Sequence, residues 1–169
     1  MYFGIYDEFR VRNLSLRGKK AILIRIFAPN SCLKERYSIS NLSDYEAILE
    51  LDIFDYVKEP NGNELEDVFT KLNNFILDND FDEVVVHCSL GMSRSPAIML
   101  CIARILKNTE LENIIKEKFK FYNRFIVKEF ENYSFTIKEI KDKEVIIDYP
   151  LKKNKSLTLS KRKIIVNDE

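Results

Sequence analysis

Residues 84–97 read Val-Val-Val-His-Cys-Ser-Leu-Gly-Met-Ser-Arg-Ser-Pro-Ala, and this stretch restricts the fold more tightly than any other. Val84, Val85 and Val86 form a β-branched run after the polar, turn-prone Asn79-Asp80-Phe81-Asp82, the pattern of a strand in a sheet covered on both faces. Over residues 94–107 the apolar positions Ala97, Ile98, Cys101, Ile102 and Ile105 recur with helical spacing. The loop between them carries Ser89, Gly91 and Ser93 and must turn the chain from the carboxyl end of a strand into a helix N-terminus. Unpaired backbone N–H groups and the positive end of the helix dipole converge in such a loop, which makes it a cradle for an anion.

The side chains in that cradle point to phosphate chemistry. A cysteine at a helix N-terminus has its thiolate stabilised by the same field, with pKa values lowered to roughly 3.5–7.5. Cys88 is therefore a candidate nucleophile. Arg94 closes the loop with a planar fork of donors able to grip two phosphate oxygens, which lysine cannot do. Ser95 follows, where a hydroxyl can reach back towards the sulfur, and His87 precedes the cysteine, where ring hydrogen bonds can fix the loop backbone. A bare His-Cys pair is otherwise a packed histidine beside an inert thiol, but that reading leaves the loop length, Gly91 and Arg94 without a reason. A zinc site needs about three or four ligands, and the chain has 1 histidine and 3 widely separated cysteines.

The run His87-Cys88-Ser89-Leu90-Gly91-Met92-Ser93-Arg94-Ser95 resembles the His-Cys-x5-Arg-Ser/Thr signature of cysteine-dependent protein tyrosine phosphatases. With Gly91, Ser93 and the following Pro96-Ala97 it looks most like the dual-specificity branch. The resemblance implies an α/β fold with a central, mostly parallel sheet of about four or five strands flanked by helices. It also implies catalysis through a cysteinyl-phosphate on Cys88, with Ser89, Leu90, Gly91, Met92, Ser93 and Arg94 holding the phosphate and Ser95 assisting the sulfur. No metal or cofactor is implied, and the partner is a phosphorylated protein substrate.

In that family the general acid is an aspartate a few tens of residues before the cysteine, on a loop after a strand. Asp55 fits, 33 positions before Cys88 and just past a strand pattern. Asp52, inside that pattern, is the alternative, and a solvated carboxylate is the plain reading of either. Members of that superfamily that take polyanionic lipids or nucleic-acid 5′ phosphates carry extra basic residues in the loop, and residues 89–93 carry none, so the resemblance implies one phosphate on an uncharged residue: phosphotyrosine, with phosphoserine and phosphothreonine as further candidates. The alternative function is a phosphatase-fold module that binds phosphorylated partners without turning them over. Intact Cys88, Arg94 and Ser95 speak against it.

At 169 residues, 46% hydrophobic and 12% aromatic, the chain fits an ordinary globular fold. Lys+Arg and Asp+Glu are both 27, so net charge gives no argument for nucleic acid or for an anionic membrane. The longest apolar run, residues 96–103, stops at Arg104, short of the ~20 residues of a membrane span. Cysteine usage and the absence of a leader pattern at Met1-Tyr2-Phe3-Gly4 point to a reducing cytoplasm.

Taken in order, the chain predicts a strand near residues 2–6, a buried strand over 21–27, connecting chain over 30–45 and a third strand over 46–54. A helix follows on Leu65, Val68, Phe69, Leu72, Phe75 and Ile76, with Asn63 and Glu66 as a capping pair. After the 94–107 helix, Thr109 with Glu112 predicts a second capping box, and Asn123 a third helix start. Cys101 falls on an apolar helix face and reads as core. Cys32, in the connecting chain, reads as an ordinary thiol, with oxidation against Cys88 a remote alternative. A phosphatase-like catalytic domain over 1–132 is then followed by a β-leaning extension over 133–169. There Lys152, Lys153, Lys155, Lys161, Arg162 and Lys163 read as a solvated basic face, or as a dock for a phosphorylated partner or acidic lipid.

Overall fold

Val84, Val85 and Val86 are fully buried because their strand is the middle one of five. A computed structural model describes residues 1–29, 39, 41–60, 63–140, 145–149, 155–160 and 163–168, the last two stretches by backbone alone. Strands β1 (Tyr2–Asp7), β2 (Ala21–Phe27), β3 (Ala47–Asp52), β4 (Glu83–Cys88) and β5 (Val145–Asp148) lie in the order β3-β2-β4-β1-β5. Every pairing among them is parallel. Beyond β5, the backbone of β6 (Lys155–Ser160) and β7 (Lys163–Asp168) continues the sheet with antiparallel pairings. The α/β class and the parallel central sheet are as the sequence predicts, and β5 enters that sheet from within the 133–169 segment.

Parallel strands need crossovers, and those from β3 to β4 and from β4 to β5 carry helices. The helices are α1 (Glu8–Val11), α2 (Glu66–Asp78), α3 (Arg94–Ile105), α4 (Thr109–Lys118) and α5 (Arg124–Asn132). Alternation along the strands divides the core. Phe3, Ile5, Ile22, Ile24, Val84 and Val86 pack beneath Leu72, Ile98, Ile102 and Phe130 of the larger helices, whereas Tyr6, Leu23 and Val85 meet Val11, Ile39 and Tyr45 on the other face. Cys101 is fully buried on α3, where burial pushes its thiol pKa up, so it is core as expected.

Several local expectations shift. The third strand ends at Asp52, so Ile53 and Phe54 leave the sheet early. Asn63 does not cap α2 with its side chain; its carbonyl accepts from Glu66 N–H at 3.1 Å, and Leu65 holds the cap position. Asn108 rather than Thr109 caps α4, its side chain accepting from Leu111 N–H at 2.9 Å, in keeping with the strong N-cap preference of asparagine. Residues 134–138 form no strand: the buried Asn73 amide takes both the N–H and the carbonyl of Thr136, and Lys138 Nζ donates to the carbonyls of Ile76, Leu77 and Asn79 at the end of α2. Cys32, most of the connecting chain, and Lys152, Lys153, Lys161 and Arg162 lie outside the described residues. Among those described, no helix is long and apolar enough to cross a membrane.

Candidate active site

β4 ends at Cys88, in register with Asp7 of β1, and the chain turns across the carboxyl edge of the sheet. Gly91 makes that turn possible. Its φ of +67° is left-handed, and a Cβ there would lie 2.7–2.8 Å from backbone atoms of Tyr6 and Asp7, so only glycine fits against β1. The turn brings Gly91 N–H to 3.3 Å from Cys88 Sγ. Among the described residues, the N–H groups of Leu90, Met92 and Ser93 meet no protein acceptor. Ser93 occupies the N-cap of α3, yet its hydroxyl makes no capping bond. The helix therefore opens onto the loop with first-turn N–H groups unsatisfied, and Pro96 in that turn has no N–H to satisfy.

Arg94 begins α3 and is almost wholly buried. Its Nη1 donates to the Ile53 carbonyl at 3.1 Å and its Nη2 to Ser89 Oγ at 3.3 Å, while Nε is buried without a partner. The early exit of Ile53 from β3 supplies the first of these anchors. The guanidinium is thus hung across the same loop whose glycine faces the sulfur, and it retains an unused donor. Leu90 and Met92 carry exposed side chains on that loop, which leaves their backbone N–H groups as what they present to the cradle.

Two expectations about the flanking residues change. Ser95 is fully buried and its hydroxyl has no hydrogen-bond partner, so the bond to Cys88 is not formed. His87 makes no ring hydrogen bond to the loop: both ring nitrogens are buried without partners, and the ring packs edge-on against Phe27 at 6.3 Å. The reason is alternation. Adjacent strand residues face opposite ways, so Cys88 joins the helix-covered core while His87 meets Phe27 and its register neighbour Arg25 on the other side. Burial first, and the Arg25 charge second, push the His87 pKa down to about 3. The ring is a neutral packing element.

Of the two candidate acids, Asp55 is tied to the loop. Its Oδ1 accepts from the Ser93 hydroxyl at 2.5 Å and from Asn123 Nδ2 at 2.9 Å. Asp52 is an exposed residue at the end of β3, in register with Phe27. Asn123 is the residue whose part the sequence does not disclose. It caps α5 by accepting from Ile126 N–H at 3.3 Å, donates from Nδ2 to the Tyr56 carbonyl at 3.0 Å as well as to Asp55, and donates its own N–H to the Ser93 carbonyl at 3.1 Å. One buried residue therefore clamps the Asp55 loop, the Cys88–Arg94 loop and a helix start together. The sequence signals only the cap, since Asp55 lies 68 positions away.

The assembly comprises a thiol beneath an N–H-lined loop, a fixed guanidinium and an exposed carboxylate bonded to the loop's edge. Those are the parts needed to hold a tetrahedral anion against a nucleophile with a proton donor at hand. Among the described residues, no group of three or more His, Cys, Asp or Glu side chains is placed to hold a metal ion. No protein-family model matches the chain, and no curated protein matches it significantly.

Proposed function

We propose that this chain is a cysteine-dependent protein phosphatase that acts on phosphotyrosine and, with a shorter reach into the cradle, on phosphoserine and phosphothreonine. Cys88 Sγ, as thiolate, attacks phosphorus; the ester P–O bond breaks as Asp55 passes its proton to the leaving oxygen, giving cysteinyl-phosphate. Water then attacks phosphorus with Asp55 accepting its proton, and inorganic phosphate leaves as the thiolate reforms. Arg94 and the loop N–H groups bear the charge on the non-bridging oxygens throughout. Ser95 makes no bond to the resting sulfur, and its buried, unpartnered hydroxyl is assigned to the sulfur only as it departs from phosphorus.

The observation that carries this reading is the Gly91 N–H directed at Cys88 Sγ at 3.3 Å inside a loop bridged by the Arg94 guanidinium. A packed, inert cysteine needs neither. The test is hydrolysis of an aryl phosphate in the presence of a chelator. Cys88→Ser is expected to abolish turnover, and Asp55→Asn to lower kcat by about 10²–10⁴-fold with vanadate affinity retained. Activity surviving Cys88→Ser would overturn the assignment; if Asp52→Asn gives the large loss instead, the acid is Asp52. Phosphopeptide binding with no phosphate release at high protein concentration would identify a binding module.

A further inference from the structure

The exposed apolar side chains are not scattered. Of the 8 large ones exposed among the described residues, six are Phe9, Phe54, Val57, Leu90, Met92 and Phe121. Leu90 and Met92 project from the anion loop itself. Phe54 lies between Ile53, whose carbonyl holds Arg94, and Asp55, which holds Ser93. Val57 follows Tyr56, whose carbonyl is bound by Asn123, and Phe121 lies two positions before Asn123. Phe9 follows Glu8, whose N–H reaches the Ser89 carbonyl. Each one stands on, or within two positions of, a residue hydrogen-bonded into the site, and this spacing gathers all six close to the cradle.

Such a cluster is costly to leave in water and does not serve the core. Val57 is 91% exposed and Leu90 74%, so neither stabilises the folded chain by burial. The cluster adjoins an anion cradle, so whatever covers it must also deliver a phosphate. We propose that this apolar collar selects phosphorylated protein segments in which the residues on either side of the phosphotyrosine carry apolar side chains. The proposal rests on the phosphatase reading above and names its substrate class. The dianion is met inside the loop by Arg94 and N–H groups, and outside the collar Lys58, Lys120 and Arg124 stand next in sequence to Val57, Phe121 and Asn123, where they can steer a phosphorylated ligand inward. The contact surface between those two zones carries no charge on its six side chains. Apolar flanking residues bury surface against it, which serine and glutamate side chains do not.

The test compares kcat/KM for three phosphotyrosine peptides, identical except that the flanking positions hold Leu and Val, Ser, or Glu, with a small aryl phosphate as reference. The apolar peptide is expected to exceed both the serine and the glutamate peptide by about tenfold. The double substitution Phe54→Ser with Val57→Ser, and separately Phe121→Ser, are expected to erase that preference while leaving aryl phosphate turnover unchanged. Equal rates, or preference for glutamate, with aryl phosphate still hydrolysed would overturn the collar's role and leave the phosphatase reading standing. Sedimentation with phosphatidylcholine and phosphatidylserine vesicles that is lost in the double variant would overturn it in favour of a lipid surface. If the aryl phosphate itself is untouched, the phosphatase reading fails and the substrate class falls with it.

Discussion

His87 and Cys88 are covalent neighbours that strand alternation sends into different environments, and each has a measurable consequence. The His87 pKa of about 3 lies below the ordinary value of 6.5, so between those limits the unfolded chain binds a proton that the native one refuses. Its contribution to stability is therefore intact above about pH 6.5 and is lost as pH falls towards 3, at about 1.4 kcal/mol per pH unit. His87→Leu removes the titration and leaves no ring nitrogen to desolvate. Urea unfolding at about pH 7.5 and about pH 5 should show the wild type losing about 2 kcal/mol more than the variant on acidification. Equal losses would mean that the ring is not held neutral by burial. At Gly91 the constraint is steric. Gly91→Ala must take a left-handed φ, which costs about 1–2 kcal/mol, and must also push its Cβ off the β1 backbone. The loop would move by a fraction of its own width. A fall in kcat/KM of about 100-fold and loss of vanadate binding are expected, with far-UV circular dichroism unchanged. The loop of residues 88–94 was legible because thiol, glycine and guanidinium are contiguous; what His87 and Ser95 face was not, because facing depends on strands paired from elsewhere.

Helix starts carry the site, and the two that matter are capped in different ways. At α3 the cap residue Ser93 gives its hydroxyl to Asp55, leaving first-turn N–H groups uncapped, as the proposed phosphate cradle requires. At α5 the cap residue Asn123 accepts from Ile126 N–H with one side of its amide and donates to Asp55 and Tyr56 with the other. Asn123→Asp separates the two duties. Aspartate caps a helix as well as asparagine does, but it cannot donate, and its charge beside Asp55 favours the protonated form of that acid. The variant loses two donor bonds and sets two carboxylates together, so its melting temperature should fall by about 5–10 °C, its kcat should drop, and the limb of the pH–kcat profile that reports the acid should be displaced to higher pH. Asn123→Ala should lose about 1 kcal/mol of stability as well. A merely structural Asn123 would lower stability without moving the limb. The sequence points to Asn123 as a cap, because asparagine before Phe125, Ile126 and Phe130 is a local pattern, and misplaces the α4 cap by one residue because Asn108 and Thr109 are both good caps. The bond to Asp55 is non-local and leaves no periodic trace.

The whole molecule depends on a strand from the far end of the chain. β2, β3 and β4, with the helix between the last two, follow local hydrophobic patterns, and so the parallel sheet and the position of the loop at its carboxyl edge could be read in advance. β5 could not be assigned to that sheet in the same way. It is only Val145–Asp148, and its partner is β1 at residues 2–4. Yet it covers what would otherwise be an open edge, and it brings Val145, Ile147 and Tyr149 into the core beneath the helices. Tyr149 meets Phe119 ring to ring at 5.3 Å, Ile146 N–H donates to the Met1 carbonyl at 3.0 Å, and Asp148 pairs with Arg17 at 3.1 Å. Fully burying each apolar side chain is worth about 1.5–3 kcal/mol, so losing three removes a large share of the ~5–15 kcal/mol that holds such a fold together. A chain cut after residue 132 is therefore expected to aggregate or to show no cooperative melt, whereas one cut after residue 150 should melt cooperatively and hydrolyse aryl phosphate. Differential scanning calorimetry and the chelator-resistant assay on both chains decide the point. Should the shorter chain melt sharply and turn over substrate, β5 is a passenger on the sheet and the catalytic unit ends before it.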